Sequence, residues 1–567
     1  MSTDRIWPAA CRATSWLDPP TKFSSFRTSP ALPRMADVVI IGAGFSGVSV
    51  AYHLLKLNPG MNVVLLEAGN VCDGASGRNG GHLSPDLYSY TSTLTATHGS
   101  DEAIRHNQFE RANFEAIKKL VQDETIECEM AGGNGESWRV FMTEQEFANG
   151  LRELTMMRDI GGDVHDVKVY QKEQARKITG IPSCFGAIAS PASPISTPKL
   201  VTKLLEKSLV KGLNLQTYTQ VLDIKHNAPL SPSSSTYCQR DQGLDVNDHK
   251  EDSDSDEFEH IESSLRISPK ISTCKHRIVT NRGELLTNNV VHATNAHLDR
   301  LLAISSHLRD RFDRESVLVA PVRGHVIEIS TGGTSSRHAR KLSLDPAVNI
   351  TNMTFNNSGT EYIVQRPDGN FVLGGGRRFG RRHGVETFNS FSMPEYEIDV
   401  NVDYFLRSFF TQTLAYDPGR YLSPSTTTTA QAELDGDYST RYKIEKQWTG
   451  IMGYSTDNFP LVGKLPALLD NDGQEYCIAG FTSHGMPRIF LSARFLAQKI
   501  LHEDEEYSYD VAYHKSLLAG RSGDSFFTGE LEENAAAVTA AKGSVEFPRA
   551  FEISEDRLSR MINGSSL

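Results

Sequence analysis

Short apolar runs separated by turn residues mark the early part of the chain. DVVII at 37–41 is mostly β-branched, which is typical of a strand buried in a parallel sheet. The helix predicted from about residue 44 has its apolar side chains on one face and ends at the Asn-Pro-Gly of 58–60. NVVLL at 62–66 predicts the next strand. Together these runs predict a strand, a tight turn, a helix and a second parallel strand.

The remainder of the chain divides into helical and strand-rich stretches. Residues 101–180 are charged and mostly helical in pattern, whereas 316–375 contains strands separated by turn signals. Residues 196–224 predict a helix followed by a strand, and a late helix begins near Met486. Beyond about residue 505 the sequence is polar and is predicted to be peripheral.

Charge is concentrated in one segment. The 567 residues carry a formal net charge of −12, and residues 241–260 hold nine acidic residues and one lysine, which leaves only −4 for the rest of the chain. That balance does not indicate a strongly charged partner, and no basic block interleaved with aromatic residues supports nucleic-acid binding. The surrounding stretch, 226–270, predicts a disordered insertion, with an acidic interaction segment as the alternative. A chain of this length requires two or more folded units.

Cysteine usage and the chain ends bear on the compartment. The seven cysteines are widely spaced without a C-x-x-C pair, which predicts reduced thiols in an intracellular protein and no metal site. The N-terminus lacks the apolar core of a secretory signal, so we expect a cytoplasmic location. Its arginines leave a mitochondrial location open, and a peroxisomal location stays open too, although the final Ser-Ser-Leu departs from the Ser-Lys-Leu pattern. Residues 38–55 lack formal charges, but their glycines, serines and histidine argue against a membrane span.

GAGFSG at 42–47 matches the G-x-G-x-x-G pattern in the context that makes it specific. It follows a strand, opens a helix and has an acid, Glu67, twenty residues past its last glycine. Gly42 permits the tight turn, Gly44 lets the backbone approach a pyrophosphate, and Gly47 lets the helix pack on the strand. The helix N-terminus favours the phosphates, and Glu67 can accept hydrogen bonds from the ribose. No second complete pattern occurs, so one dinucleotide, FAD or NAD, is predicted.

Six blocks, in order, carry a resemblance to a known family. They are VVIIGAGFSG, LLEAG, GASGRNGGH, VVHATNAH, PVRGH, and W-T-G-I-x-x-x-x-x-D-x-x-P with GFTSHGM. The chain resembles the D-amino-acid-oxidase-type (glycine/sarcosine oxidase-like) FAD-dependent oxidoreductases over roughly 36–503, and most closely their gamma-glutamylputrescine oxidase-like branch. The insertions at 226–270 and around 410–440 depart from the compact family pattern but touch none of the blocks.

The resemblance implies an α/β fold class. A Rossmann-like, discontinuous FAD-binding domain would accompany a second, α+β substrate domain built on a mostly antiparallel sheet. The implied FAD-binding domain comprises 36–90, 195–225, 271–300 and 441–505, and the substrate domain comprises 91–194 and 301–440. The remaining segments would be an N-terminal extension (1–35), the acidic insertion (226–270) and a C-terminal extension (506–567).

The resemblance also implies where FAD lies. In the family, the segment after the ribose-binding acid runs along the pyrophosphate and ribityl chain to the flavin ring, and GASGRNGGH at 74–82 would lie there with its backbone facing the flavin. The histidine that tethers FAD in some relatives falls at Asn79 here, so non-covalent FAD is expected. The predicted cofactor-binding residues are Gly42, Gly44, Phe45, Ser46, Gly47, Glu67, Ala68, Ser76, Arg78, Asn79, Gly80, Gly81, Val221, Ala293, Thr294, Asn295, Gly453, Asp457, Gly485 and Met486.

Four residues are candidates for the catalytic side of the site. Arg78, His82 and His484 are candidate positive groups near the flavin N5, and Arg323 is a candidate anchor for a substrate carboxylate. Structural alternatives stay open: backbone hydrogen bonds for His82, a helix cap for His484, and an ion pair within the sheet for Arg323.

The reaction that the resemblance implies is oxidation of the C–N bond of an amine or amino acid. Hydride would pass to the flavin, the imine would be hydrolysed, and oxygen would be reduced to hydrogen peroxide. The partners would then be a small-molecule amine or amino acid and molecular oxygen. Two alternatives stay open: a dehydrogenase that uses another electron acceptor, and a flavin-bound interaction protein without turnover. The sequence does not indicate which amine is used or which oligomeric state the protein has.

Overall fold

A computed structural model of the protein describes residues 14–130, 135–226, 274–305, 317–330, 352–356, 361–381, 398–413, 443–466, 474–502 and 545–563. The predicted acidic insertion, 226–270, lies almost wholly outside these ranges. The described residues form eighteen strands and eleven α-helices. The strands are β1 (Met35–Ile41), β2 (Val63–Leu66), β3 (His82–Leu83), β4 (Glu136–Phe141), β5 (Lys168–Gln171), β6 (Gly186–Pro191), β7 (Ser193–Pro194), β8 (Asn214–Gln216), β9 (Val221–His226), β10 (His276–Thr280), β11 (Gly283–His292), β12 (Val319–Ser330), β13 (Asn352–Asn356), β14 (Tyr362–Gln365), β15 (Phe371–Gly375), β16 (Lys443–Ser455), β17 (Leu461–Lys464) and β18 (Glu475–Ala479). The helices are α1 (Phe45–Leu57), α2 (Ala75–Arg78), α3 (Thr91–His98), α4 (Ser100–Asp123), α5 (Glu144–Asp159), α6 (Lys172–Thr179), α7 (Thr197–Val210), α8 (Leu298–Ile304), α9 (Val400–Thr413), α10 (Ile489–Leu501) and α11 (Glu555–Asn563).

The first sheet is parallel at its centre. Its five central strands run in the order β18-β11-β1-β2-β8, and β17, β10 and β9 extend it with antiparallel pairs. All four residues of β2 are buried, as expected for a strand covered on both faces. Helix α1 packs against α7 and α10. The predicted strand, turn, helix and strand are therefore β1, α1 and β2. No helix within the described ranges is both long and apolar enough to cross a membrane.

The second sheet is mostly antiparallel. Its strand order is β16-β12-β15-β14-β13-β4-β6-β5, and its one parallel pair among these strands joins β13 to β4. The two sheets confirm the predicted fold class, an α/β cofactor domain with an α+β second domain. Strand β16, which the sequence-based boundaries group with the cofactor domain, pairs with β12 in the second sheet along most of its length. The domain boundaries therefore stay a proposal at this point of the chain.

The first described residues, 14–34, belong to the predicted N-terminal extension and pack on the body of the protein. Trp16 is buried with Trp448 and two valines of the second sheet, and Phe23 joins the core of the first sheet. Arg27 forms a bridge to Gln216 at the end of β8. This segment therefore contacts both sheets.

The described C-terminal residues, 545–563, correct the prediction that sequence beyond about 505 is peripheral. Phe547 stacks on Phe495 of α10 with ring centroids 3.7 Å apart, and Phe551 is fully buried. Arg557 of α11 forms an ion pair with Asp457 at 2.7 Å. The prediction failed because two well-placed aromatic side chains are enough to anchor a segment whose average composition is polar.

Candidate functional site

A cavity of about 1570 Å³ joins the two sheets. It begins at the turn between β1 and α1, follows the GASGRNGGH segment and the end of β11, and reaches β12, β14 and β16 in the second sheet. Small-molecule sites commonly measure about 300–1,000 Å³. The cavity therefore has room for a dinucleotide together with a small second molecule.

The predicted cofactor-binding and catalytic residues all line this cavity except Gly47, Gly81 and Arg323. A Cβ at Gly47 would lie 2.0 Å from the Gly42 carbonyl oxygen, so this glycine is needed for packing. Gly81 has a φ of +74°, and its Cβ would lie 2.9 Å from the Trp16 ring. Arg323 is buried within β12 and is not among the residues that line the cavity, so its role as a carboxylate anchor stays a prediction.

The turn after β1 is held open toward the cavity. Gly42 has a φ of +107°, and a Cβ there would lie 2.6 Å from the Ala293 carbonyl oxygen, so only glycine fits. The N-cap residue of α1 is Gly44, which has no side chain to cap the helix. Instead, the Phe45 N–H donates to the Ser76 hydroxyl at 2.9 Å, which joins the helix start to the glycine-rich segment. The helix N-terminus at the cavity is the arrangement that binds a pyrophosphate.

Glu67 lies at the end of β2 and lines the same region. Its Oε2 accepts the Ala43 N–H at 2.9 Å and its Oε1 accepts the Gly69 N–H at 2.8 Å. Burial raises the pKa of Glu67, while these backbone N–H groups oppose the rise. Because a carboxylate has about four acceptor positions, Glu67 can still accept ribose hydroxyl groups.

Thr294 offers an independent test of whether a polar ligand fits here. Thr294 lines the cavity, and its hydroxyl oxygen is buried without a hydrogen-bond partner among the described residues. Buried polar atoms are nearly always paired, so this hydroxyl requires a ligand or water. The residues around the turn, Glu67 and Thr294 therefore fit a dinucleotide such as FAD.

The GASGRNGGH segment has two distinct sides. One side packs on the protein, since a Cβ at Gly77 would lie 2.7 Å from Leu17 and a Cβ at Gly81 would lie 2.9 Å from the Trp16 ring. The other side, which includes Ser76 and Asn79, lines the cavity. The glycines thus admit neighbouring side chains as well as a ligand, which the sequence did not indicate.

Asn79 holds this segment in place. Its side-chain NH₂ donates to the Thr197 hydroxyl at 2.9 Å and to the Ser76 carbonyl oxygen at 3.0 Å, and its Oδ1 accepts the Gly81 N–H at 2.9 Å. The Trp16 indole N–H donates to the Asn79 carbonyl oxygen at 2.8 Å. The amide therefore has a local structural role.

Arg78 is buried and forms an ion pair with Asp73 at 3.0 Å. Its Nη1 donates to the Thr449 carbonyl oxygen at 3.2 Å, and the Trp448 indole donates to the Arg78 carbonyl oxygen at 3.0 Å. These contacts fasten the glycine-rich segment to β16. Asp73 offsets much of the charge that Arg78 was predicted to direct at the flavin.

The two candidate histidines lie in different settings. His82 lines the cavity and meets the Tyr362 ring edge-on, with centroids 5.0 Å apart. His484 Nε2 lies 2.8 Å from Glu110 Oε2, so its ring contacts a carboxylate. Arg488 Nε donates to the other oxygen of Glu110 at 2.7 Å. Burial would raise the pKa of Glu110, but His484 and Arg488 outweigh it and lower the pKa to about 2.

The remaining predicted cofactor residues close the cavity between β11 and the C-terminal block. Asn295 has a φ of +46°, and its Oδ1 accepts the Gly480 N–H at 3.1 Å. A Cβ at Gly453 would lie 2.7 Å from that same Oδ1, so a side chain at residue 453 would displace the Asn295 amide. The predicted residues that line this part of the cavity are Val221, Ala293, Thr294, Asn295, Gly453, Asp457, Gly485 and Met486.

The second sheet contributes cavity residues that sequence reasoning missed. Arg139, Glu361, Tyr362, Arg377 and Tyr454 all line the cavity. Arg377 donates to the Tyr454 hydroxyl, and its guanidinium lies 4.9 Å from the centroid of that ring. These residues belong to no local motif, so no sequence signal identified them.

Comparison with known proteins identifies the family. The family FAD dependent oxidoreductase (DAO) matches residues 37–238 and 263–499. A probable oxidoreductase, OrdL, of Rhizobium meliloti (strain 1021) is 26% identical over 198 residues, 35% of this chain and 45% of that protein. The gamma-glutamylputrescine oxidoreductase of Escherichia coli (strain K12) is 33% identical over 97 residues, 17% of this chain and 22% of that protein. These matches span less than half of each relative, so the narrower branch is only loosely supported.

A solved structure supports the same assignment at the level of the fold. Glycine oxidase from Geobacillus kaustophilus has 19% sequence identity and a TM-score of 0.55, over 85% of this chain and 98% of that chain. At this identity the likeness shows the fold alone, whereas the family match covers most of the chain. The protein therefore belongs to the DAO family of FAD-dependent oxidoreductases, and FAD is its cofactor.

Proposed function

We propose that the protein oxidises the C–N bond of a small amine or amino acid and passes the electrons to oxygen. The observation that carries the proposal is the continuity of the cavity, which runs from the dinucleotide turn to a wall of charged and aromatic side chains in the second sheet. The relatives' names agree with it, since one is a gamma-glutamylputrescine oxidoreductase and one a glycine oxidase.

The chain's own residues divide the cavity into two parts. Gly42, Gly44 and the start of α1 would hold the pyrophosphate, and Glu67 would bind the adenosine ribose. The cavity-facing side of the GASGRNGGH segment would lie along the flavin. The arginine and tyrosine side chains of the second sheet would then face the substrate.

When bound, FAD would supply a two-electron acceptor for the hydride on the carbon next to the substrate nitrogen. The resulting imine would take up water and split into a carbonyl compound and an amine, and oxygen would take up two electrons and two protons to become hydrogen peroxide. The residues that line the cavity would orient the substrate. Desolvation at the reacting position would disfavour a protonated amine there and so favour the neutral form that can react. Glu110 fixes the His484 ring at the cavity edge.

Anaerobic addition of a panel of amines and amino acids to the FAD-loaded enzyme tests this proposal. A substrate should bleach the visible absorbance of the flavin, whereas tert-butylamine, whose amino carbon carries no hydrogen, should not. Absence of bleaching with every compound would contradict C–N oxidation. Oxygen added after bleaching should restore the colour rapidly and yield peroxide, and slow recovery would instead favour a dehydrogenase with another acceptor.

A further inference from the structure

The wall of the second sheet contains a carboxylate with one oxygen that has no hydrogen-bond partner among the described residues. Glu361 is only 1% exposed and lines the cavity. Its Oε1 accepts the Gly376 N–H at 3.3 Å, but its Oε2 is buried with no hydrogen-bond partner in the described part of the chain. We propose that Glu361 binds a positively charged group of the substrate, separate from the nitrogen that is oxidised.

Glu361 differs in this respect from the other acids around the cavity. Glu67 accepts two backbone N–H groups, and Glu110 pairs with His484 and Arg488. Among the acidic residues that the structure describes along the cavity, only Glu361 has a buried oxygen without a hydrogen-bond partner. A buried charge without a partner is costly, so a site of this kind is completed by a cation or by a hydrogen-bond donor.

The nearest arginines are directed elsewhere. Arg377 donates to the Tyr454 hydroxyl and lies over its ring, and Arg378 lies 4.9 Å from the centroid of Phe379. Burial raises the pKa of Glu361, and the charges of Arg378 and Arg377 oppose that rise without forming an ion pair with it. A substrate cation would favour the ionised carboxylate in the same way.

The backbone fixes Glu361 in this position. Its carbonyl oxygen accepts the Phe355 N–H at 2.9 Å, so it lies next to the β13–β14 pair. The neighbouring Tyr362 and Phe355 also line the cavity and offer aromatic surfaces, which attract organic cations. A carboxylate beside aromatic rings is suited to an ammonium or guanidinium group.

The inference rests on the proposed function and narrows its substrate class. One nitrogen must be neutral to be oxidised, so a cation at Glu361 must be a second basic group. We therefore expect a substrate with two basic nitrogens, such as a diamine or a basic amino acid, to be preferred over a monoamine of the same length.

Binding of a probe that is not oxidised gives the first test. Methylguanidinium and methylurea have similar shapes but differ in charge, and each is titrated into the FAD-loaded protein by calorimetry. The wild type should bind methylguanidinium at least about tenfold more tightly, and Glu361→Gln should lose this preference. Asp368→Asn, an exposed acid in the neighbouring β14–β15 turn, should keep it and controls for net charge. Equal binding of the two probes by the wild type would overturn the proposal without any variant.

Turnover gives the second test. For Glu361→Gln, kcat/KM with putrescine should fall by about ten- to a hundredfold, while kcat/KM with butylamine should change by less than about threefold. Equal losses with both amines would overturn the assigned role. Methylguanidinium binding that depends on Glu361, without flavin reduction by any amine, would contradict C–N oxidation as the function. The same result would still support a cation-binding site at Glu361.

Discussion

Replacement of Glu110 by glutamine should change the dependence of stability on pH in a defined direction. Glu110 is buried on α4 and pairs with His484 at 2.8 Å and with Arg488 at 2.7 Å. Glu110→Gln removes the charge but keeps the shape, and deprives the buried Arg488 of the carboxylate charge that it pairs with. We expect the free energy of unfolding near pH 6 to fall by about 3–5 kcal/mol.

The change in unfolding free energy at acidic pH can be predicted more closely. The pKa of Glu110 is lowered to about 2 in the folded protein, compared with an ordinary value of 4.5. A shift of one pKa unit corresponds to about 1.4 kcal/mol. Because the folded pKa is lowered, the ionised carboxylate contributes about 3 kcal/mol above pH 4.5, and this contribution is lost as the pH falls toward 2. The difference in unfolding free energy between wild type and variant should therefore shrink by about 2 kcal/mol between pH 6 and pH 3.

Urea unfolding of the FAD-saturated protein, followed by fluorescence at several pH values, measures this difference. Subtracting the variant from the wild type cancels the titration of the other carboxylates. Glu115→Gln is the matched control on the same helix, since that side chain is 53% exposed and its contact to Lys118 is 3.8 Å long. The control should differ from wild type by less than about 0.5 kcal/mol throughout. A wild-type-to-Glu110→Gln difference that stays constant from pH 6 to pH 3 would refute the reasoning.

Two further predictions concern the cofactor. Trp16→Phe removes the hydrogen bond to the Asn79 carbonyl oxygen, worth about 1 kcal/mol, whereas Trp16→Ala also removes the buried ring, worth about 3–5 kcal/mol. FAD affinity, measured by titrating the apoprotein, should fall more for Trp16→Ala than for Trp16→Phe. Phe26→Ala, at an exposed position, is the control. A loss of affinity in Trp16→Ala no larger than that in Phe26→Ala would contradict a link between Trp16 and the flavin segment. Because Asn79 occupies the position of the tethering histidine, acid precipitation should release the flavin into the supernatant, and a yellow pellet would count against non-covalent FAD.

The dinucleotide site could be predicted because its chemistry uses residues that are close in sequence. The turn, the helix N-terminus and the acid at the end of β2 are all within one short unit, and Gly42, Gly44 and Glu67 line the cavity as a group. The requirement for glycine at Gly42 is local as well, since its positive φ and the nearby Ala293 carbonyl exclude a side chain. A local pattern is enough when the ligand contacts mainly backbone.

The substrate wall could not be predicted for the opposite reason. Which strand side chains face the cavity depends on strand pairing and register, which a single sequence does not reveal. Arg323 illustrates this. The next two residues of β12, Gly324 and His325, line the cavity, whereas Arg323 is not among the lining residues. Glu361 is equally hidden in sequence, since its burial depends on its pairing with Phe355.

The contacts of Arg78 suggest how the two parts of the site act together. Its guanidinium donates to the Thr449 carbonyl oxygen while its own carbonyl oxygen accepts the Trp448 indole N–H. Trp448 in turn packs with Trp16, whose indole N–H donates to the Asn79 carbonyl oxygen. The glycine-rich segment is thus clamped between β16 and the N-terminal residues, so its flexible sequence is held in one conformation. Since the ion pair with Asp73 already occupies the Arg78 charge, the position of the segment, rather than a free positive charge, is what Arg78 contributes to the site.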